Sequence, residues 1–477
     1  MTTTSDRQLL DDAAVRDFIT DGYLIIQSHH PPEFHLAVCR QLDEVLDKGG
    51  NPGNNLLPLV PGIQQVFDSP PVSGALESLL GPGFSMHPHR YCHTHPAGSK
   101  DQNWHKDDYI YDQNVRHHRF RWLMAFYYPQ DVTCDMGPSA VMPRRQHYNQ
   151  TSDTDPSRAT EEEFKLTAPA GSVILLNFDA WHRATANTSD RMRYMLKFQF
   201  LRMTEPLAPS WDCAELDWQP DAGAPDGAIA RHVWDWLAAR EVHPDCGGAG
   251  GDLAALSHED EDQRLRAAYT LSANGETAAL IAALCAQAPA LAEANQAKSP
   301  AHVQGGNPSE ISAAYALAAL ADTAVPDLVA ALNHDQWSVR AAAADVLGDI
   351  GRPSLPAAGA LAGALSDDSF WVRRNAAEAL GTVAPGDHGT VTALAAALAD
   401  EDHRIRLNAT LALAKIGPEA DAAVASLKPL LGDKSRYVRH NAMLALQRID
   451  THAARSVLYH ELTTSRWCAL TTAERPY

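Results

Sequence analysis

The sequence predicts two domains of different class: an all-β or mixed barrel, followed by an all-α stack of two-helix units. Two observations carry the prediction. Up to about residue 205, short apolar runs alternate with turn clusters, as in "GYLIIQS", "RFRWLMAFYY", "GSVILLNF" and "RYMLKFQFL". Beyond about residue 250 the chain turns alanine-rich and repeats itself, with Val339-Arg340, Val372-Arg373, Ile405-Arg406 and Val438-Arg439 each 33 residues from the next.

In chain order, "RDFITDGYL" (16–24) reads as a short helix stopped at Asp21-Gly22 that leads into the first strand. The strand-rich part fills residues 1–205. Residues 206–252 read as a linker with a short helix, and "HPDCGGAGGD" (243–252) reads as its hinge. The repeats occupy 253–452. Leu332, Leu365, Leu398 and Leu431 close a first helix, and Asp335 and Asp368 fill the following turn as N-caps. Ala343 and Leu347, with their counterparts 33, 66 and 99 residues on, continue one apolar face whose small alanines let helices approach closely. Two weaker copies precede these, around Leu265-Arg266 and Ile311. The last segment, 453–477, breaks the repeat. Its Trp467 and Tyr477 are unusual for a free tail, so docking is expected.

Bulk properties exclude several classes. With 45% hydrophobic and 21% charged residues the chain is globular, and its net charge of −20 argues against a nucleic-acid groove. No run of eighteen apolar residues suggests a membrane span, and the N-terminus lacks the basic flank and apolar core of a secretory signal. Seven scattered cysteines without a C-x-x-C pair suggest reduced thiols in a cytoplasm.

The chemistry starts at "NWHKDDYIY" (103–111). In an extended H-x-D segment, alternation points His105 and Asp107 to the same side. His182 follows an apolar strand 75 residues beyond Asp107. Two imidazoles and one carboxylate leave three metal positions open, which suits Fe(II) holding a bidentate co-substrate together with O2. Arg193 lies eleven residues past His182 on the next apolar strand, where a guanidinium can grip the distal carboxylate of 2-oxoglutarate. Arg191 would share its strand face and is a rival for that role.

His-x-Asp, then His, then Arg eleven positions later resembles the phytanoyl-CoA dioxygenase family of Fe(II)/2-oxoglutarate oxygenases. "FITDGYLII" is similar to that family's opening, Trp104 precedes the first ligand as is common there, and "DMGPSAVMPRRQHY" (135–148) resembles its glycine turn. "HRATANTSDRMR" (182–193) resembles its last motif, with Asn187 in place. The likeness covers about residues 13–202. It implies a double-stranded β-helix (jelly-roll, cupin-like) with flanking helices. It further implies His105, Asp107 and His182 as iron ligands, Arg193 as the co-substrate anchor, and no catalytic group beyond the ligands. Ala184 stands where the family often has a serine for the co-substrate, and Thr185 beside it is the candidate co-substrate contact in its place. Related halogenases replace the carboxylate ligand by a small residue; Asp107 is present, so the implied outcome is hydroxylation of an unactivated C–H bond through Fe(IV)=O. The repeats resemble HEAT repeats, which implies an all-α solenoid.

In "HPHRYCHTHP" (87–96) a continuous strand would place His87, His89, Tyr91, His93 and His95 on one face. A second metal site is one reading. A strand lining the pocket, with His93 touching co-substrate or substrate, is the other. Tyr109, Tyr111, Trp122 and Phe126 are candidate substrate contacts, although aromatic residues in strands more often belong to the core. The expected substrate is a small molecule, including the natural-product class. The alternatives are a peptide, protein or carrier-bound substrate presented by the repeats, or a non-catalytic scaffold. The repeats could also bind a protein partner or self-associate.

Overall fold

The first helix, Asp12–Asp21, opens where the Asp11 carboxylate accepts from the Ala14 amide and closes on Gly22, whose φ of +82° is the left-handed cap that glycine adopts without strain. The chain then enters strand β1 (Tyr23–Gln27), as the sequence predicts. The computed structural model describes residues 7–107, 114–149, 163–219, 227–240, 252–298, 311–383 and 386–464.

Among the described residues eight further strands follow: β2 (Ser85–Met86), β3 (Tyr91–His95), β4 (Trp122–Tyr128), β5 (Ser139–Val141), β6 (Phe164–Lys165), β7 (Ser172–Asn177), β8 (His182–Ala184) and β9 (Arg193–Leu201). They form two antiparallel sheets. The larger has the order β1-β7-β4-β9-β2, with β3 also paired to β9; the smaller has the order β6-β5-β8. Strands β4, β7 and β9 are buried at every residue, which is why their sequences read as continuous apolar runs and not as alternating ones.

Alternation still sorts the two faces of the large sheet. Leu123, Ala125, Tyr127, Val173, Leu175, Leu196, Phe198 and Phe200 join one hydrophobic core with helical residues such as Phe18, Leu42, Leu76 and Trp234. Arg193, Met195 and Lys197 therefore fall on the opposite face. Helix Gly227–Leu237, inside the segment read as a linker, packs Val233, Trp234 and Leu237 into that same core.

Contact clustering divides the chain into two compact units. The first runs from Met1 to Leu291 and takes in Ser309–Ala324; the second holds Val325–Tyr477 with two short pieces before it. Helices Glu261–Ala273 and Ser312–Ala319 thus belong to the sheet unit, where Leu265, Tyr269, Tyr315 and Ala319 enter its core. His118 is stacked on both Tyr269 and Tyr315, with ring centroids 5.8 and 4.1 Å away. The weak repeat copy read at Leu265-Arg266 is set two residues too late. Arg264 donates to the carbonyls of His258 and Glu259, six and five residues back, as Arg340 does to His334 and Asp335.

In the second unit, helices Trp337–Ile350, Phe370–Val383, His403–Ile416 and Arg436–Ile449 each carry the repeated Val/Ile-Arg pair. The N-cap expectation for Asp335 and Asp368 does not hold: Gln336 precedes the first of these helices without a side-chain cap. The acid that matters next to Asp368 is Asp367, because Arg340 grips it through Nε (2.7 Å) and Nη2 (2.8 Å). Arg373–Asp400 and Arg406–Asp433 repeat that rung. Of the expected tail, helix His452–Thr464 is described and buries Ala454; Trp467 and Tyr477 lie outside the described residues. Among the described helices, Thr277–Ala294 is long and apolar enough to cross a membrane by length and composition alone; much of that character comes from alanine.

Candidate metal centre

His105 and His182 face each other across an isolated antiparallel bridge, each backbone amide donating to the other's carbonyl at 3.1 and 3.0 Å. That pairing sets the two imidazoles side by side, ring centroids 4.5 Å apart. Asp107, two residues along, joins them as alternation requires. One ligand atom from each of the three lies within 4.8 Å of the others. Lys106 points away between them, where its ammonium bonds Asp179 (2.6 Å) and the Gln146 carbonyl (3.2 Å). Arg116 holds the other oxygen of Asp179.

The donor set fits a divalent metal at the level of individual atoms. Nδ1 of His105 lies 3.0 Å from the Asn103 carbonyl, and Nδ1 of His182 lies 3.0 Å from the Ala180 carbonyl. A carbonyl only accepts, so both Nδ1 atoms carry the proton and both Nε2 atoms present a lone pair, that of His182 with the Lys197 ammonium 3.4 Å away. Burial pulls His182 down to about 4; the Asp107 carboxylate opposes this and the Lys197 ammonium adds to it. Burial pushes Asp107 up, but Lys197 and the two histidines overcome it and hold the carboxyl below its ordinary range. At neutral pH His182 is therefore a neutral imidazole and Asp107 a carboxylate.

These residues line a pocket of about 250 Å³ that takes residues from both sheets. Arg193 lines it too and is 1% exposed. Its Nε donates to the Gly137 carbonyl at 3.1 Å, while its Nη1 is buried and has no hydrogen-bond partner among the described residues. Gly137 is required at its position: φ is +67°, and a Cβ there would sit 2.4 Å from the Thr185 carbonyl oxygen. Arg191 precedes the strand and is exposed, so it does not share the face of Arg193.

The other expected contacts divide. His93 lines the pocket, and burial followed by Lys197 pulls its imidazole down to about 3, so it is neutral. The histidine-rich run is a strand only over Tyr91–His95; His89, Tyr91 and His95 also reach the pocket, while Cys92 faces the core. Thr185 does not line it, because its hydroxyl donates to the Pro138 carbonyl at 2.7 Å. Phe126 sits behind the site, 5.9 Å from the His182 ring. Trp122 packs against His87 and Phe178, away from the pocket lining. Tyr109 and Tyr111 lie outside the described residues.

Of the pocket residues that escaped the sequence reading, Lys197 and Ser139 bear most on the chemistry. Lys197, on the face of Arg193 by simple alternation, donates to Asp107 Oδ2 at 2.6 Å. Ser139 is the cross-strand partner of Ala184, and both line the pocket. Period two along β9 would have found the first; the second needs the β5–β8 register.

Residues 61–195 match the Phytanoyl-CoA dioxygenase (PhyH) family model, and four overlapping stretches between 310 and 471 match HEAT repeats. No curated protein matches the chain. Among solved structures, the chain is similar to SnoK, a non-heme alpha-ketoglutarate-dependent carbocyclase from nogalamycin biosynthesis, at 19% identity over 41% of this chain and 85% of that one, TM-score 0.35. It is also similar to SnoN, an epimerase of the same pathway, at 16% identity, 45% and 88% coverage and TM-score 0.35. Apo HygX from Streptomyces hygroscopicus is a third, at 13% identity, 41% and 87% coverage and TM-score 0.34.

Proposed function

We propose that the protein is a non-haem Fe(II)- and 2-oxoglutarate-dependent oxygenase that hydroxylates an unactivated C–H bond of a small molecule, with its sheets forming a jelly-roll. One observation carries the reading. A buried guanidinium with an unpartnered Nη1 lines the same pocket as two Nε2-presenting histidines and a carboxylate. A buried cation without a counter-ion is costly, and a carboxylate-bearing ligand supplies the counter-ion.

His105 and His182 would hold the iron through Nε2, and Asp107 through a carboxylate oxygen. When bound, iron with 2-oxoglutarate supplies the O2-dependent oxidation that side chains cannot perform. The chain's own work is positional. The backbone bridge and the Nδ1 bonds fix both imidazoles, and Lys106 with Asp179 fixes the turn between the first two ligands. Arg193 binds the distal carboxylate of the co-substrate. Ser139, beside Ala184, offers the hydroxyl that Ala184 lacks, and neutral His93 offers a ring nitrogen without adding charge.

A second reading rests on the HEAT repeats, which suit a peptide, protein or carrier-bound substrate or partner. It predicts that a chain ending after Ala324, which keeps the whole sheet unit, loses turnover of the presented substrate and retains it on a free fragment.

The test of the first reading is anaerobic. Fe(II) and 2-oxoglutarate added together should give a visible charge-transfer band, and His182→Ala should abolish it. No band in the wild type, with iron shown to be bound, would overturn the co-substrate assignment.

A further inference from the structure

We infer that Lys197 is a positioning residue of this site: by holding Oδ2 of Asp107, it confines the carboxylate to a single donor oxygen toward the metal. The inference rests on the metal reading above and deepens it. The two carboxylate oxygens are already divided in the structure. Oδ2 accepts from the Lys197 ammonium at 2.6 Å, while Oδ1 is the oxygen nearer His182, 3.7 Å from its Nε2. The ammonium is buried at the edge of the pocket: its side chain is 7% exposed, Nζ lies over the Phe126 ring at 5.3 Å, and the His182 Nε2 is 3.4 Å away.

An ionised carboxylate can give a metal one oxygen or both, and the choice sets how many coordination positions remain. For Asp107 to give both, Oδ2 would have to serve the metal and the buried ammonium at once, which draws two cations onto one oxygen and disfavours the two-oxygen mode. With Oδ2 engaged by Lys197, His105, His182 and one oxygen of Asp107 would hold the metal and leave room for a chelating 2-oxo acid and O2. The same ammonium has a second effect. It draws on the charge of Asp107 and places a cation beside a dication, so it weakens metal binding while it strengthens the binding of an incoming dianion. Metal and co-substrate affinities are therefore set against each other by one side chain.

Opposite signs are what a merely structural lysine would not produce. The experiment uses the full chain, Mn(II) as the metal, followed by loss of the free-ion magnetic resonance signal, and 2-oxoglutarate as the dianion. Outer-shell partners of metal ligands typically move affinity by about 10- to 100-fold. In Lys197→Met, Mn(II) should bind about tenfold tighter or more, and 2-oxoglutarate about tenfold weaker or more to the Mn(II) form. Lys197→Gln, which still donates a neutral hydrogen bond, should shift both affinities in the same directions by less, and it carries the test if the methionine variant does not fold. Parallel weakening of both ligands, or no change in either, would overturn the role of Lys197 and leave the metal reading standing. Absence of Mn(II) binding to the wild type would overturn both.

Discussion

In the repeats, Arg340, Arg373 and Arg406 each reach an aspartate 27 residues ahead and also donate to carbonyls at the preceding turn. In the sheet unit Arg121 is treated likewise, its Nε and Nη2 on the two oxygens of Glu205 at 2.7 and 2.9 Å. Arg193 is more deeply buried than any of these and meets no carboxylate among the described residues; the groups that raise its affinity for a proton are the Tyr128 phenol and the Cys92 thiol. Burial accordingly pulls its affinity for a proton below the usual arginine range. Satisfied arginines join segments of the fold. An unsatisfied one, where two metal-ready histidines lie within the same pocket, marks a place kept for a ligand.

The contrast can be broken by stability measurements. The largest effect is expected at Arg121→Met, which strips buried Glu205 of its paired guanidinium, leaving the Trp236 N–H and the charge of Arg202, and should cost about 3 kcal/mol by chemical denaturation. The same pair should make the fold acid-labile. Burial pushes Glu205 up, but Arg121 outweighs it and holds the carboxyl below its ordinary 4.5. A depressed carboxylate contributes stability that is complete above the unfolded value and is lost as pH falls through the folded one. The melting temperature should therefore drop below pH 4.5, and less steeply in Glu205→Gln. A smaller effect belongs to one rung of the repeats: Arg373→Ala should cost about 1 kcal/mol, because its pair with Asp400 is partly open to solvent. Equal losses at Arg121 and Arg373 would mean that burial does not set the worth of these pairs.

The sequence made the three candidate ligands and Arg193 legible through period two and strand context, and each stands in the pocket that the pattern points to. Other features were hidden for physical reasons. Asp367 and Asp368 are equivalent in a one-dimensional pattern, and only the guanidinium 27 residues upstream selects between them. Helices Glu261–Ala273 and Ser312–Ala319 look like repeats, as the bonding of Arg264 shows, yet Tyr269 and Tyr315 pack around His118 of the sheet unit. Periodicity reports which face of a helix is apolar, not what covers it. A chain cut at residue 205 would remove part of that core, so Ala324 is the better boundary for testing the oxygenase alone.

The most direct measurement of the central claim is the 2-oxoglutarate titration of Arg193→Met in the anaerobic Fe(II) protein, with stability recorded alongside. The variant should need roughly thirtyfold more co-substrate, about 2 kcal/mol for a lost charged hydrogen bond. It should fold as stably as the wild type or more so, because it removes an uncompensated buried charge. An unchanged titration, or a loss of stability as large as that of Arg121→Met, would show that Arg193 belongs to the framework and not to the ligand.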